Sequence, residues 1–272
     1  MIQNKKNSLI VGLFLLFFLI PNPVLSKSEI LEPFANGFEI KILYDNYVYT
    51  KGTKADWGFS AVLRGTEKTI LFDTGTNSDI LWHNIEVLDV DIEKVDLIVI
   101  SHNHGDHTGG LVSVLEKIKQ IPVYFPSSFP NSFEEKVEAK GAQVVRVSGP
   151  IEICKNVFST GEMGTSIKEQ SLIVKTKQGG VLITGCAHPG IVEIVEKAGD
   201  VIHEKIYFAL GGFHLMSKSE NQIRQIIERF EKLNVKMCGA THCTGEKAIQ
   251  RFKKAYGENY VTMGVGRTIT IK

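Results

Sequence analysis

Val95-Asp96-Leu97-Ile98-Val99-Ile100 runs directly into Ser101-His102-Asn103-His104-Gly105-Asp106-His107-Thr108-Gly109-Gly110. The first six residues are of buried-strand type, apolar but for one aspartate. The next ten place His102, His104, Asp106 and His107 in the spacing H-x-H-x-D-H. Three imidazoles and a carboxylate suit a borderline metal such as zinc, which takes nitrogen and oxygen ligands at about 2.0–2.2 Å. A rigid strand that ends in such a run holds its ligands firmly and still presents them to solvent. The chain has eight histidines, and three of them lie in this run, which argues against a chance histidine-rich loop.

Other strand ends repeat the device. Residues 181–184 run into Gly185-Cys186-Ala187-His188, residues 208–210 into Gly211-Gly212-Phe213-His214, and residues 237–240 into Thr241-His242-Cys243. Each reads as an apolar strand, small residues, then histidine, and glycine lets the backbone turn close to a bound group. His83 lies in a helical stretch and His203 before a strand; both are expected to be satisfied locally, away from chemistry. Cys186 and Cys243 stand next to these histidines, where either could approach a metal. The plainer reading makes them small buried residues beside ligands.

The rest of the chain supplies a fold for these ends. Residues 38–44, 59–63 and 69–72 suggest an antiparallel meander that ends at Asp73. Strand and helix patterns then alternate: helices are expected over 78–88, 111–118, 131–140, 191–198, 219–233 and 246–256. Strands are expected over 97–100, 122–125, 144–147, 152–158, 171–176, 180–184, 205–210 and 235–240, with the final strands over 261–271. Two packed sheets with helices outside fit this order. With 272 residues, 43% of them hydrophobic, there is enough for one large core. A net charge of +1 gives no electrostatic footprint for nucleic acid.

The amino terminus reads as a targeting segment. Lys5 and Lys6 precede the uncharged residues 9–20, then Pro21, Pro23 and Val24-Leu25-Ser26. Basic region, apolar region and small-residue cleavage site form a secretory signal, here residues 1–26, with 27–272 as a single domain. The apolar run is shorter than the roughly 20 residues of a spanning helix, although an uncleaved anchor is the alternative. The expectation is an exported protein, periplasmic or secreted, with no stable membrane association after cleavage. Four cysteines make no dense disulfide framework.

These motifs resemble the metallo-β-lactamase superfamily. The subgroup named for dihydropterin-aminobenzene ribofuranosyl phosphate synthase is the nearest in pattern, with segments like Trp57-Gly58-Phe59-Ser60, Leu71-Phe72-Asp73-Thr74-Gly75, Glu169-Gln170-Ser171-Leu172, Gly185-Cys186-Ala187-His188-Pro189-Gly190, Gly211-Gly212-Phe213-His214-Leu215 and His242-Cys243-Thr244-Gly245. The resemblance implies a four-layer αββα sandwich over about residues 38–271. It also implies one metal held by His102, His104 and His188, a second held by Asp106, His107 and His242, and Asp73 behind them fixing a ligand histidine's tautomer. Many binuclear members bridge the metals with an aspartate at the end of the strand matching 205–210, where Gly211 and Gly212 stand here. Either a water or hydroxide bridges alone, or His214 joins the metals; His214 is expected to contact substrate. The expected activity is hydrolysis of a small ester, lactone or phosphoester by a hydroxide on two zinc ions (manganese or iron being alternatives), with Asp106 as ligand and proton acceptor. The alternatives are a synthase-like transferase and a metal- and ligand-binding protein without turnover.

Overall fold

Strands that alternate between two apolar faces build both sheets of the computed structural model, which describes Met1 and residues 37–272. The reading of residues 1–26 as a signal, Met1 apart, lies outside the described residues. Strands β1 (Phe38–Tyr44), β2 (Ser60–Arg64) and β3 (Ile70–Phe72) pair antiparallel as a meander. After helix α1 (Ser78–Val87), β4 (Leu97–Val99) joins β3 in parallel. The H-x-H-x-D-H run then closes into a helical turn, α2 (Gly105–Thr108), followed by α3 (Leu111–Lys117). Parallel strands β5 (Pro122–Pro126) and β6 (Gln143–Val147), with α4 (Asn131–Glu138) between them, complete this side.

The second sheet starts with β7 (Ile151–Cys154), β8 (Val157–Ser159) and β9 (Leu172–Thr176), then β10 (Gly179–Thr184), all antiparallel neighbours. Here the single extended segment expected over 152–158 is in fact a hairpin. Asn156 takes a left-handed φ of 64° at its turn, a conformation asparagine tolerates well. Helix α5 (Ile191–Ile202) leads to β11 (Ile206–Gly212), which pairs in parallel with β10, and α6 (Glu220–Lys232) leads to β12 (Met237–Thr241), which pairs in parallel with β11. Helix α7 (Glu246–Tyr256) precedes β13 (Thr268–Ile271), which returns to pair with β1. Of the final stretch 261–271, only these last residues form a regular strand. Among the described residues the orders are β13-β1-β2-β3-β4-β5-β6 and β12-β11-β10-β9-β8-β7.

Three apolar layers hold the four structural ones. Leu97 and Val99 point between the sheets with Val181, Ile183, Phe208 and Leu210. Ile98 faces α1, α3 and α4 on one outer side, and Leu182 and Ala209 face α5, α6 and α7 on the other. Strands covered on both faces read as continuous apolar runs, which is why β4, β10 and β11 stand out in the sequence. The result is an αββα sandwich. No helix among the described residues is long and apolar enough to cross a membrane.

This topology decides where chemistry can sit. The parallel strands β3 and β4 of one sheet and β10, β11 and β12 of the other end at the same edge. Loops leaving the carboxyl ends of parallel strands form the usual ligand crevice of such folds.

Candidate metal centre

Six of the eight histidines gather at that edge. The rings of His102 and His104 lie 4.6 Å apart, those of His102 and His188 4.8 Å, His104 and His188 4.9 Å, His107 and His242 5.2 Å, and His188 and His214 4.3 Å. His83 and His203 stay apart. His83 meets the carbonyl of Gly52, and His203 ends α5 in a left-handed conformation.

Hydrogen bonds fix which nitrogens face inward. Asp73, buried at the end of β3, accepts from the backbone N–H and the hydroxyl of Ser101, each at 2.7 Å, and lies 2.7 Å from His107 Nδ1. With the Ser101 proton given to Asp73, the Ser101 oxygen is an acceptor for His102 Nδ1 at 2.9 Å. One carboxylate therefore orients two histidines, one directly and one through a hydroxyl. Asn46 does the same for His242: its Oδ1 accepts from Gly58 N–H and faces His242 Nδ1 at 2.8 Å, and its Nδ2 donates to the His242 carbonyl. Each ring thus turns a bare Nε2 inward.

Two sets of lone pairs result. In the first, His102 Nε2 faces His104 Nδ1 at 3.1 Å, and His188 Nε2 is buried with no hydrogen-bond partner. Burial lowers the pKa of His102 well below its usual value and that of His188 to about 4, with His214 and His104 adding to the effect on His188, so both are neutral ligands-in-waiting. In the second, Asp106 Oδ2 stands 3.5 Å from both His107 Nε2 and His242 Nε2. Acceptors that converge without donors call for a cation. In the metal-free chain a proton fills that role. Burial works to lower the pKa of His107, but Asp73 and Asp106 outweigh it and lift it to about 10. Burial likewise raises Asp106, yet His107 and His242 hold its carboxyl well below the usual range. Donors bonded to one tetrahedral zinc stand about 3.3–3.7 Å apart; the two 3.5 Å contacts of Asp106 match that spacing, and the 3.1 Å pair of His102 and His104 comes close to it.

Cys186 enters this cluster as more than packing. Its Sγ lies 3.2 Å from His107 Nε2 and 3.5 Å from His242 Nε2. Its backbone is gripped by Glu169, whose buried carboxylate accepts from the amides of Cys186 and Ala187 at 2.9 Å and of His188 at 2.8 Å. Burial raises the Glu169 pKa to about 7 against the pull of those amides. Gln170 ties the same loop to the exit of β4: its N–H donates to the Ser101 carbonyl and its Nε2 to that of Ile100, each at 2.9 Å. The sequence marks Ser101, Glu169 and Gln170 only as parts of family-like segments and does not mark Asn46; the role of each depends on a partner from another loop.

Backbone strain marks the same edge. Asp73, Ala187, His214 and His242 all hold left-handed φ values, between 45° and 60°. Such conformations cost of order 1–3 kcal/mol each and persist only where the surroundings enforce them. Below His242, Thr241 donates its hydroxyl to the buried carboxylate of Asp45, at 2.8 and 2.7 Å from the two oxygens. Burial, opposed by the Thr241 bond, raises the Asp45 pKa from 3.8 to about 7. The folded chain then keeps a proton that the unfolded chain releases near 3.8. This stabilisation is full below pH 3.8, fades as pH rises to about 7 and is flat above. Relative to Asp45→Asn, the wild-type protein should lose up to about 4 kcal/mol of unfolding free energy between pH 4 and 7. Urea midpoints of both chains across that range check this; parallel pH profiles would refute it.

Comparisons with known proteins agree with this architecture. The sequence model described as the metallo-beta-lactamase superfamily matches residues 58–222. The chain is 30% identical over 250 residues to 7,8-dihydropterin-6-methyl-4-(beta-D-ribofuranosyl)-aminobenzene-5'-phosphate synthase of Methanocaldococcus jannaschii, covering 75% of this chain and 85% of that protein. The crystal structure of Tm1679, a metal-dependent hydrolase of the β-lactamase superfamily, superposes with a TM-score of 0.72 at 28% identity, over 86% of this chain and 99% of that one. The short form of human tRNase Z shares the fold alone, with a TM-score of 0.59 at 16% identity over 86% of this chain and 99% of that one. From its sequence match and its paired sheets ending in a histidine-rich edge, this chain belongs to the metallo-β-lactamase superfamily.

Proposed function

We propose that the protein is a zinc-dependent hydrolase of a small ester, lactone or phosphoester. The observation that carries this is the pair of adjoining donor sets, whose lone pairs converge with His188 Nε2 unpartnered. His102, His104 and His188 would hold one ion, and Asp106, His107 and His242 a second. Bound there, zinc supplies Lewis acidity and lowers the pKa of a water from 15.7 toward about 7. Asp106 would be both a ligand of the second ion and the acceptor of the attacking water's hydrogen bond and proton.

His214 stands where a leaving group would emerge. Its hydrogen bond with the adjacent Cys243 raises its pKa, and its ring can donate a hydrogen bond to the leaving oxygen. His188 and His214 form one wall of a cavity of about 530 Å³, within the range of small-molecule sites. Phe213, Leu215 and Ile226 give it an apolar lining, and Lys218 lies at the same cavity. Glu193 and Glu196 share the lining, with Glu196 paired to Arg229, so the cavity suits a small molecule with an apolar body and polar substituents. Across the edge, the exposed Trp57 ring lies 5.1 Å from His242 and offers a second apolar contact. The leader-like residues 1–26 support action outside the cytoplasm.

Chelation followed by zinc add-back, assayed on ester, lactone and phosphodiester panels, tests this reading. Activity should vanish with metal removal and return with zinc; activity indifferent to metal would contradict it. The likeness to the archaeal synthase favours a second reading, group transfer to an organic acceptor. Oxygen-18 water separates the two, since hydrolysis alone places label in the product.

A further inference from the structure

A bridging aspartate, already absent from the sequence at Gly211 and Gly212, would have no room at the end of β11. A Cβ on Gly212 would stand 2.3 Å from the Gly185 carbonyl oxygen, 2.8 Å from Cys243 Sγ and 3.0 Å from His242 Cδ2. One on Gly211, where φ is +112°, would stand 2.1 Å from the Thr184 carbonyl oxygen. Any donor that joins the two sets must come from a neighbouring strand end, and β10 supplies one.

Resting on the two-metal reading above, we infer that Cys186 is the bridging ligand, a thiolate shared by both metal ions. Its Sγ is the one atom common to two donor sets: Asp106, His107 and His242 on one side, His102 and His188 on the other, with the donors in each set within 4.8 Å of one another. The separations from Sγ to His107 Nε2 and His242 Nε2, 3.2 and 3.5 Å, match the edges of a tetrahedron of sulfur, nitrogen and oxygen donors around zinc. Asp73 and Asn46 hold the Nδ1 side of each ring, so both Nε2 atoms are aimed at the sulfur. A cation seated beside the sulfur would be reached by all three atoms.

The loop is built to deliver that sulfur. Cys186 is 3% exposed, and its amide and the next two are pinned by Glu169 while Ala187 takes a φ of 60°. The neighbouring Cys243, which makes a third close group with Cys186 and His214, meets both of those side chains, and its sulfur lies 3.5 Å from the Cys186 carbonyl oxygen. Cys243 stands in neither histidine donor set, whereas Cys186 stands in both. Binding the ions displaces the thiol proton to solvent. A soft sulfur bridge favours zinc, cobalt or cadmium over magnesium or calcium.

Cobalt(II) titration of the metal-free chain tests the bridge without reference to turnover. The wild-type protein should take up two ions per chain and develop a near-ultraviolet sulfur-to-cobalt charge-transfer band. Cys186→Ser should lose the band and bind the second ion at least about 10-fold more weakly. Cys186→Asp should hold two ions without the band, and Cys243→Ser should keep it. Two bound cobalt ions with no band in the wild-type protein would overturn the bridge and leave the histidine centre standing. A band that survives Cys186→Ser but not Cys243→Ser would assign the sulfur wrongly. Absence of cobalt binding altogether would overturn the metal centre itself.

Discussion

His104→Ala should abolish hydrolysis and empty the first metal position while the domain stays folded. His104 is half-buried and ends an extended segment just before α2, so its ring supports little of the core. What it does contribute is Nδ1, 3.1 Å from His102 Nε2. With that nitrogen gone, His102 and His188 are left with only the sulfur proposed to be shared with the second ion, a set one donor weaker than zinc has with His104 in place. Changing a group behind a metal ligand costs roughly 10–100-fold in affinity or activity; losing the ligand itself should exceed that. Zinc content, far-ultraviolet circular dichroism and rate, measured on one preparation, decide the matter. A variant with full metal content and full rate would refute the ligand assignment.

Glu169→Ala should be the most damaging single change outside the ligands. Its carboxylate is the acceptor for three consecutive amides, those of Cys186, Ala187 and His188. Each buried amide left without a partner costs about 1–3 kcal/mol, so several kcal/mol of stability should go, together with the placement of His188. Glu169→Gln is the gentler probe. Its amide oxygen can still accept from Cys186 and Ala187, while its NH2 group opposes the His188 N–H. The glutamine chain should fold, lose about 1–3 kcal/mol and bind zinc roughly 10-fold or more weakly. Urea unfolding of the metal-free chains checks the first effect and zinc titration the second. An alanine variant as stable as the wild-type protein would show that the loop holds itself.

The sandwich was legible because strands buried on both faces leave continuous apolar runs, as residues 97–100, 181–184 and 206–210 do. The histidines were legible because each follows such a run. Residues whose meaning lies in a distant partner were not. Asn46 orients His242 across 196 positions of sequence, and Cys186 meets His107 across 79. Nothing in the letters around Asn46 marks it, and Cys186 was readable only as a neighbour of His188 that could approach a metal or simply pack beside it. Cysteine in particular reads as a small buried residue until the lone pairs around it are counted. The hairpin at Asn156 was missed for a milder reason: a two-residue turn between short strands leaves an almost unbroken apolar pattern. His214 shows the intermediate case. Its place at a strand end was readable, and its distance from the other rings was not.

Anomalous diffraction at the zinc edge, on crystals of the zinc-reconstituted protein, tests the central claim most directly. Two peaks should lie among His102, His104, His188, Asp106, His107 and His242, with Cys186 between them. A chain that takes up no stoichiometric zinc, or holds it away from this edge, would contradict the account.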